Sequence, residues 1–168
     1  MSEQSTAGTT GDDEVRVRRA GPGDEAEVVR LRELMSSTLF GPGAEGPWTG
    51  EAMARLARWL ADPDAATAVF VVDAPDGAGL AASVIGTYSE RLPSARNPAG
   101  LSGYVYGVST DPRWQRRGFS RAAMTALLDW FDRCGVVRID LHASEFGEGL
   151  YRKLGFAETR GAALSAHR

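Results

Sequence analysis

"VSTDPRWQRRGFSRAAM", residues 108–124, joins a run that reads as a strand to one that reads as a helix, and it carries Arg113, Arg116, Arg117 and Arg121 at the junction. Like charges crowded into one turn repel unless an anion arrives. Arginine at a helix start also has the wrong sign for the helix dipole, whose positive end lies there. Gly118 sits where strand, loop and helix meet, and the first free N–H groups of the helix, from about Phe119, point into that turn. Donors, dipole and arginines together describe a site for a pyrophosphate, with Arg113, Arg116 or Arg117 adding charge-assisted bonds. The plainer alternative is a solvated, arginine-rich helix start. The turn is not a P-loop, because GxxxxGK[ST] is missing, and not a dinucleotide fingerprint, because only one glycine is present.

Working outward, Phe119, Ala123, Met124, Leu127, Leu128 and Phe131 recur at helical spacing until "CGV" ends the helix. "VVRIDLHA" follows as a strand. Strand, helix, strand in that order implies a parallel pair with a right-handed crossover. The strand before the turn, "LSGYVYGVST", puts Tyr104, Tyr106 and Val108 on one side by alternation and stops at Asp111-Pro112, where proline ends the ladder. Upstream, "ATAVFVVDA" and "LAASVIGTYSE" flank the turn "PDGAG" and read as an antiparallel hairpin.

Nearer the N-terminus, "VRVRRA" is a short strand, and "GPGD" offers Asp24 as the N-cap of a helix that buries Val28, Leu31, Leu34 and Met35. A Gly/Pro loop precedes a second helix that runs to about Leu60, capped by Thr49 and burying Met53, Leu56, Trp59 and Leu60. "EFGEGLYRKLGF" is a short helix stopped by Gly155; Phe156 onward is expected to return as a strand, with "GAALSAHR" a weak last strand that a partner copy can complete. Residues 1–13 are polar and expected to be a disordered tail, and residues 14–168 form one domain.

With 168 residues, 43% of them hydrophobic, the chain can bury a core without staples. Cys134 is alone, so no internal disulfide forms, no metal site is expected, and a reducing cytoplasm is the expected compartment. The first residues lack the pattern of a secretory signal, and no apolar run reaches the about 18 residues of a membrane span. A net charge of −3 argues against nucleic acid as a partner.

The quoted stretch resembles motif A of the GCN5-related N-acetyltransferases (the GNAT superfamily), whose phosphate turn Gln/Arg-x-x-Gly-x-Gly/Ala matches Gln115, Arg116, Arg117, Gly118, Phe119 and Ser120. Serine in the last small position is the departure. "LYRKLGF", residues 150–156, resembles the second signature of the family, a tyrosine-bearing helix followed by Gly-Phe, and it lies about thirty residues on with a strand between. The resemblance extends at lower detail from Val15 to about Arg160. It implies a single-domain α/β fold, with a mixed central sheet of six to seven strands flanked by about four helices. It also implies acetyl-CoA as co-substrate in a V between the strand ending at Thr110 and the strand of residues 136–142. The pantetheine arm would pair with Val108, Ser109 and Thr110 and the phosphates would meet Gln115 to Arg121, Arg121 included, while Gly107 marks the bulge that splays the strands. Where the family often has asparagine, Ser144 stands, a shorter side chain for the same contact.

Acetyl transfer to an amine needs a neutral amine, a donor to the developing oxyanion and a proton for the departing thiolate. The backbone N–H of Val108 is the oxyanion candidate. By the resemblance Tyr151 is the general acid, also touching the cofactor; the alternative is a tyrosine packed beside Phe156. Glu90 is the base candidate, with His142 and Glu145 as others. The expected acceptor is the primary amine of a small molecule, in a pocket walled by Trp48, Phe40 and Tyr88 and attracting a cation through Glu45 or Glu90. A protein or peptide amine, a noncatalytic acyl-CoA-binding regulatory module, and a nucleic-acid or protein contact surface at the arginine turn are the alternatives. The family resemblance also suggests a homodimer.

Overall fold

The computed structural model describes residues 15–41, 46–159 and 165–166. Among them, five strands form one sheet in the order β1 (Val17–Arg19), β2 (Thr67–Asp73), β3 (Leu80–Glu90), β4 (Leu101–Thr110) and β5 (Arg138–Leu141). The first four run antiparallel, and β5 joins β4 in parallel through α3 (Phe119–Arg133). The antiparallel hairpin and the parallel pairing of β4 with β5 are as the sequence implies. The expected count of six to seven strands is not met among these residues. After Gly155, at φ 92°, Phe156 donates its N–H back to the Tyr151 carbonyl at 3.0 Å and sets its ring against Tyr151. It thereby closes the helix α4 (Glu148–Lys153) in the manner of a C-terminal cap instead of opening a strand, and residues 156–159 carry no ladder. The tail 1–13 and most of "GAALSAHR" lie outside the described residues.

The sheet separates two apolar clusters. On one face α3 and α4 pack Phe119, Met124, Leu127, Phe131 and Tyr151 onto Ala68, Val84 and Val105. On the other, α1 (Glu25–Phe40) and α2 (Trp48–Ala61) pack Val28, Leu31 and Leu56 onto Val69, Val71 and Ile85. Period-two alternation in β2 feeds both: Val69 and Val71 go one way, Phe70 and Val72 the other, and all four are buried. Close approach of α3 depends on two strand glycines. A Cβ at Gly86 would fall 2.6 Å from Leu127 Cδ1 and 2.8 Å from Phe131 Cζ, and one at Gly103 would fall 2.9 Å from Phe131 Cε1.

Both helix starts differ from the sequence expectation. Asp24 occupies the cap position of α1, but its carboxylate accepts from both Arg18 Nη atoms at 2.7 and 2.8 Å and from Gly21 N–H at 2.9 Å. A guanidinium is a stronger partner than a helix N–H. Helix α2 starts two residues early, at Trp48, because Pro47 already holds a helical φ of −64°; Thr49 then donates its hydroxyl back to the Gly46 carbonyl instead of capping.

Candidate active site

Strands β4 and β5 pair only over Ser102–Val105 against Arg138–Leu141. β4 continues five residues further, so an opening lies between residues 106–110 and the chain leaving β5 at His142. At the same place β4 spends two residues, Gly107 and Val108, against the single Val84 of β3, since Ile85 pairs with Tyr106 and Ser83 with Ser109. This is a β-bulge, and Gly107 holds the φ of 62° it requires. The bulge resets the alternation. Tyr106 packs with the α1/α2 cluster, but Val108 packs with the α3/α4 cluster, so the expectation that they share a face fails by the one inserted residue. Ser109, buried, donates its hydroxyl to the Gly107 carbonyl at 3.4 Å.

The turn after β4 is built on Asp111, whose side chain is 4% exposed. Its Oδ1 accepts from Arg113 N–H at 3.0 Å and starts a single 3-10 turn, Pro112–Trp114. Its carboxylate also receives Arg113 Nη2 at 3.1 Å and Arg30 Nη1, from α1, at 2.8 Å. The Arg113 guanidinium, then its backbone N–H and Arg30, hold Asp111 far below the usual carboxylate range against the opposing effect of burial. Arg113 thus has its counter-charge inside the protein, with Asp76 a second at 3.5 Å.

The other arginines of the turn have no carboxylate partner among the described residues. Arg117 lies over the Trp114 ring at 5.1 Å, a cation–π contact. Arg116 and Arg121 make no ion pair among the described residues. Arg116 takes φ 63° and Gly118 φ 83°, two left-handed residues that turn the chain into the first N–H groups of α3. Gln115, Arg116, Arg117 and Gly118 are exposed, whereas Phe119 is buried as the first core residue of α3. The hydroxyl of Ser120 bonds that of Thr110, so the serine that departs from the motif ties helix start to strand end. A Cβ at Gly118 would meet no atom within 4 Å, so the turn is an open cradle. Exposed donors, uncompensated arginines and a splayed strand pair are what a long pyrophosphate-bearing cofactor fits.

Tyr151 is 9% exposed, edge-on to Phe156 at 6.2 Å. Gly147 lies beneath its ring: a Cβ there would come 2.8 Å from Cε2. Burial pushes the phenol above its ordinary value. Its hydroxyl makes no hydrogen bond to the described residues. Ser144, exposed, serves α4 through its carbonyl, which accepts from Gly147 and Glu148 N–H at 2.9 and 3.0 Å.

Glu90 is not brought to this place. It pairs with Leu101, at the far end of β4, seven residues before Val108 and so roughly 23 Å along the strand. What stands at the opening is His142, whose Nδ1 is 2.6 Å from Tyr104 Oη, with Tyr104 stacked on Tyr106 at 6.2 Å between centroids. The tyrosine partner of His142 went unnoticed in the sequence, where Tyr104 read only as a strand residue.

On the α1/α2 side, a pocket of about 320 Å³ is lined by Val28, Arg32, Trp48, Glu51, Arg55, Trp59, Ile85 and Tyr106, among others. Trp48 is in the expected wall. Tyr88 is not: it packs on Trp130 at 5.6 Å, on the other face of the sheet. The Phe40 side chain and Glu45 lie outside the described residues. Arg32 was missed, because on a helix of mixed charge nothing in the sequence marks one arginine as facing inward. Among the described residues, no group of three or more His, Cys, Asp or Glu is placed to hold a metal, and no helix is long and apolar enough to cross a membrane.

Residues 29–156 match the model of the acetyltransferase (GNAT) family, and the chain belongs to that family, which uses acetyl-CoA as co-substrate. Solved structures share the fold. A predicted acetyltransferase of Clostridium acetobutylicum, determined with acetyl-CoA, has a TM-score of 0.76 at 19% identity, covering 90% of this chain and 96% of that one. Glucosamine-6-phosphate N-acetyltransferase from Arabidopsis thaliana gives 0.70 at 18%, over 90% and 97%. An aminoglycoside acetyltransferase from an uncultured soil metagenomic sample, in complex with trehalose, gives 0.70 at 17%, over 94% and 98%. No curated protein matches the sequence.

Proposed function

We propose that the protein is an N-acetyltransferase moving the acetyl group of acetyl-CoA directly to the primary amine of a small molecule. The observation that carries this reading is the coincidence of three features at one end of β4: the bulge at Gly107, the end of β5 pairing at Val105, and the open Gly118 turn. The cofactor supplies an activated acetyl thioester. Val108, Ser109 and Thr110 would pair with its arm, and Gln115 to Arg121 would receive its phosphates, Arg113 being engaged by Asp111.

The amine attacks the thioester carbonyl, the C–N bond forms and the C–S bond breaks. In this reading Val108 N–H donates to the oxygen as charge develops on it. Tyr151 gives its proton to the departing thiolate. Burial suits it to that role, since a raised pKa keeps the phenol protonated while the amine is titrated. The amine proton leaves through His142 and Tyr104, which are already hydrogen-bonded at the opening and replace Glu90 as the proposed route. The pocket beside Tyr106, about 320 Å³, is of a size that suits a small acceptor. The lone thiol of Cys134 supports a reducing, cytoplasmic setting, and a homodimer belongs to the same proposal.

Thiol release from acetyl-CoA, with mass detection of the N-acetyl product, tests the chemistry. Tyr151→Phe is expected to lower kcat about 10²-fold or more while leaving acetyl-CoA affinity unchanged. Equal turnover by the two proteins refutes Tyr151 as the acid. Acetyl-CoA binding without turnover of any amine points instead to a noncatalytic binding module.

A further inference from the structure

The charges in the acceptor pocket do not balance. Glu51 is paired with Arg55 at 2.9 Å, one turn away on α2. Arg32, on α1, has no ion pair among the described residues, so among them the pocket holds one uncompensated cation. That cation stands over the bulge: an ideal Cβ at Gly107 would be 3.2 Å from Arg32 Nη1. Gly107 is adjacent to Val108, whose N–H is the proposed oxyanion donor. An anion bound by Arg32 therefore lies beside the atoms that react. The rest of the lining is apolar or aromatic, with Val28, Val29, Trp48, Leu56, Trp59, Ile85 and Tyr106 contributing.

From this, and resting on the acetyltransferase reading above, we infer that the acceptor is an amine with a carboxylate on the adjacent carbon and an apolar body, the chemistry of a hydrophobic α-amino acid. With Gly107 and Val108 adjacent, a carboxylate over Gly107 and an amine on the neighbouring carbon suit a short span to a thioester held at Val108. Arg32 grips the carboxylate with its planar fork, and the tryptophans receive the side chain. The same cation disfavours a protonated amine beside it, which shifts the acceptor toward the neutral form that attacks. An amine bearing a remote anion, as in an amino-sugar phosphate, places its charge too far from its nitrogen for this arrangement.

The test is a matched set of acceptors with one body. Initial rates with L-phenylalanine, L-phenylalaninamide, 2-phenylethylamine and glucosamine 6-phosphate are compared by thiol release, alongside calorimetric titration of acetyl-CoA. The amino acid is expected to exceed the amide and the decarboxylated amine at least tenfold in kcat/KM. Arg32→Gln is expected to erase that preference, chiefly through KM, with acetyl-CoA affinity unchanged, and Arg32→Lys to restore part of it. Equal or better transfer to the amide, the decarboxylated amine or the sugar phosphate overturns the inference, as does transfer to none of the four by a protein that binds acetyl-CoA. Failure of the wild-type protein to bind acetyl-CoA overturns the acetyltransferase reading beneath it.

Discussion

Replacing Gly118 with tryptophan should separate folding from cofactor binding, because the two depend on different properties of the residue. The backbone there holds φ 83°, which an L-residue adopts at a cost of about 1–2 kcal/mol. No atom of the protein lies within 4 Å of the position a Cβ would take, so no clash adds to that strain. For a chain of this size the melting temperature should fall by roughly 2–8 °C. Binding is another matter. An indole in the cradle denies a pyrophosphate the helix N–H donors, and two lost bonds to a charged group at about 1.5–3 kcal/mol each amount to roughly 10²–10⁴-fold in affinity. Calorimetric titration of acetyl-CoA, with thermal melts of both proteins, reads the two effects separately. A folded variant that binds acetyl-CoA within threefold of wild type would refute the placement of the phosphates in this turn.

Two further outcomes bear on the scaffold. Asp111→Asn removes a buried charge that Arg30 and Arg113 both answer and, since both arginines reach solvent, should lower stability modestly in urea denaturation at neutral pH. Because the folded pKa is depressed, that contribution is present above the ordinary carboxyl value of 3.8 and is lost as the pH falls below it, so the gap between the two proteins should narrow in acid. A gap that widens in acid contradicts the assignment. Gly86→Ala should destabilise by about 1–3 kcal/mol through overpacking against Leu127 and Phe131, and by less in a Leu127→Ala background. An equal cost in both backgrounds would mean that Leu127 is not what the new methyl meets.

The site was legible in the sequence where function rests on backbone. Gly118, the helix start at Phe119 and the strand end at Thr110 fall where spacing and turn chemistry put them, because the proposed phosphate cradle is a local object made from consecutive residues. Groups that depend on the path of another element were not legible. Glu90 looked close to the cleft because it ends a strand, yet antiparallel pairing with Leu101 sends it to the opposite end of β4. Tyr88 looked available as an aromatic near a loop, but its parity in β3 turns it onto Trp130. The glycine at 107 marks the bulge in the sequence, but strict alternation hides its effect on parity, which moves Val108 to the other face from Tyr106. Asp111 read as a strand stop, and only the arrival of Arg30, 81 positions away in sequence, reveals it as the anchor of the turn.

The two apolar clusters on either side of the sheet have a bearing on how such a protein changes over generations. In the proposed reading the acetyl-CoA side is rooted in one cluster, beneath α3 and α4, and the acceptor side in the other, beneath α1 and α2. Substitutions at Trp48, Trp59 or Arg32 fall in the α1/α2 cluster or its pocket, whereas α1 reaches the proposed phosphate turn through a different residue, Arg30, which holds Asp111. On that reading, and with Arg30 kept, a lineage can trade one amine for another by small steps in α1 and α2 while its hold on acetyl-CoA stays intact, and the route between two specificities need not pass through a protein that has lost its donor.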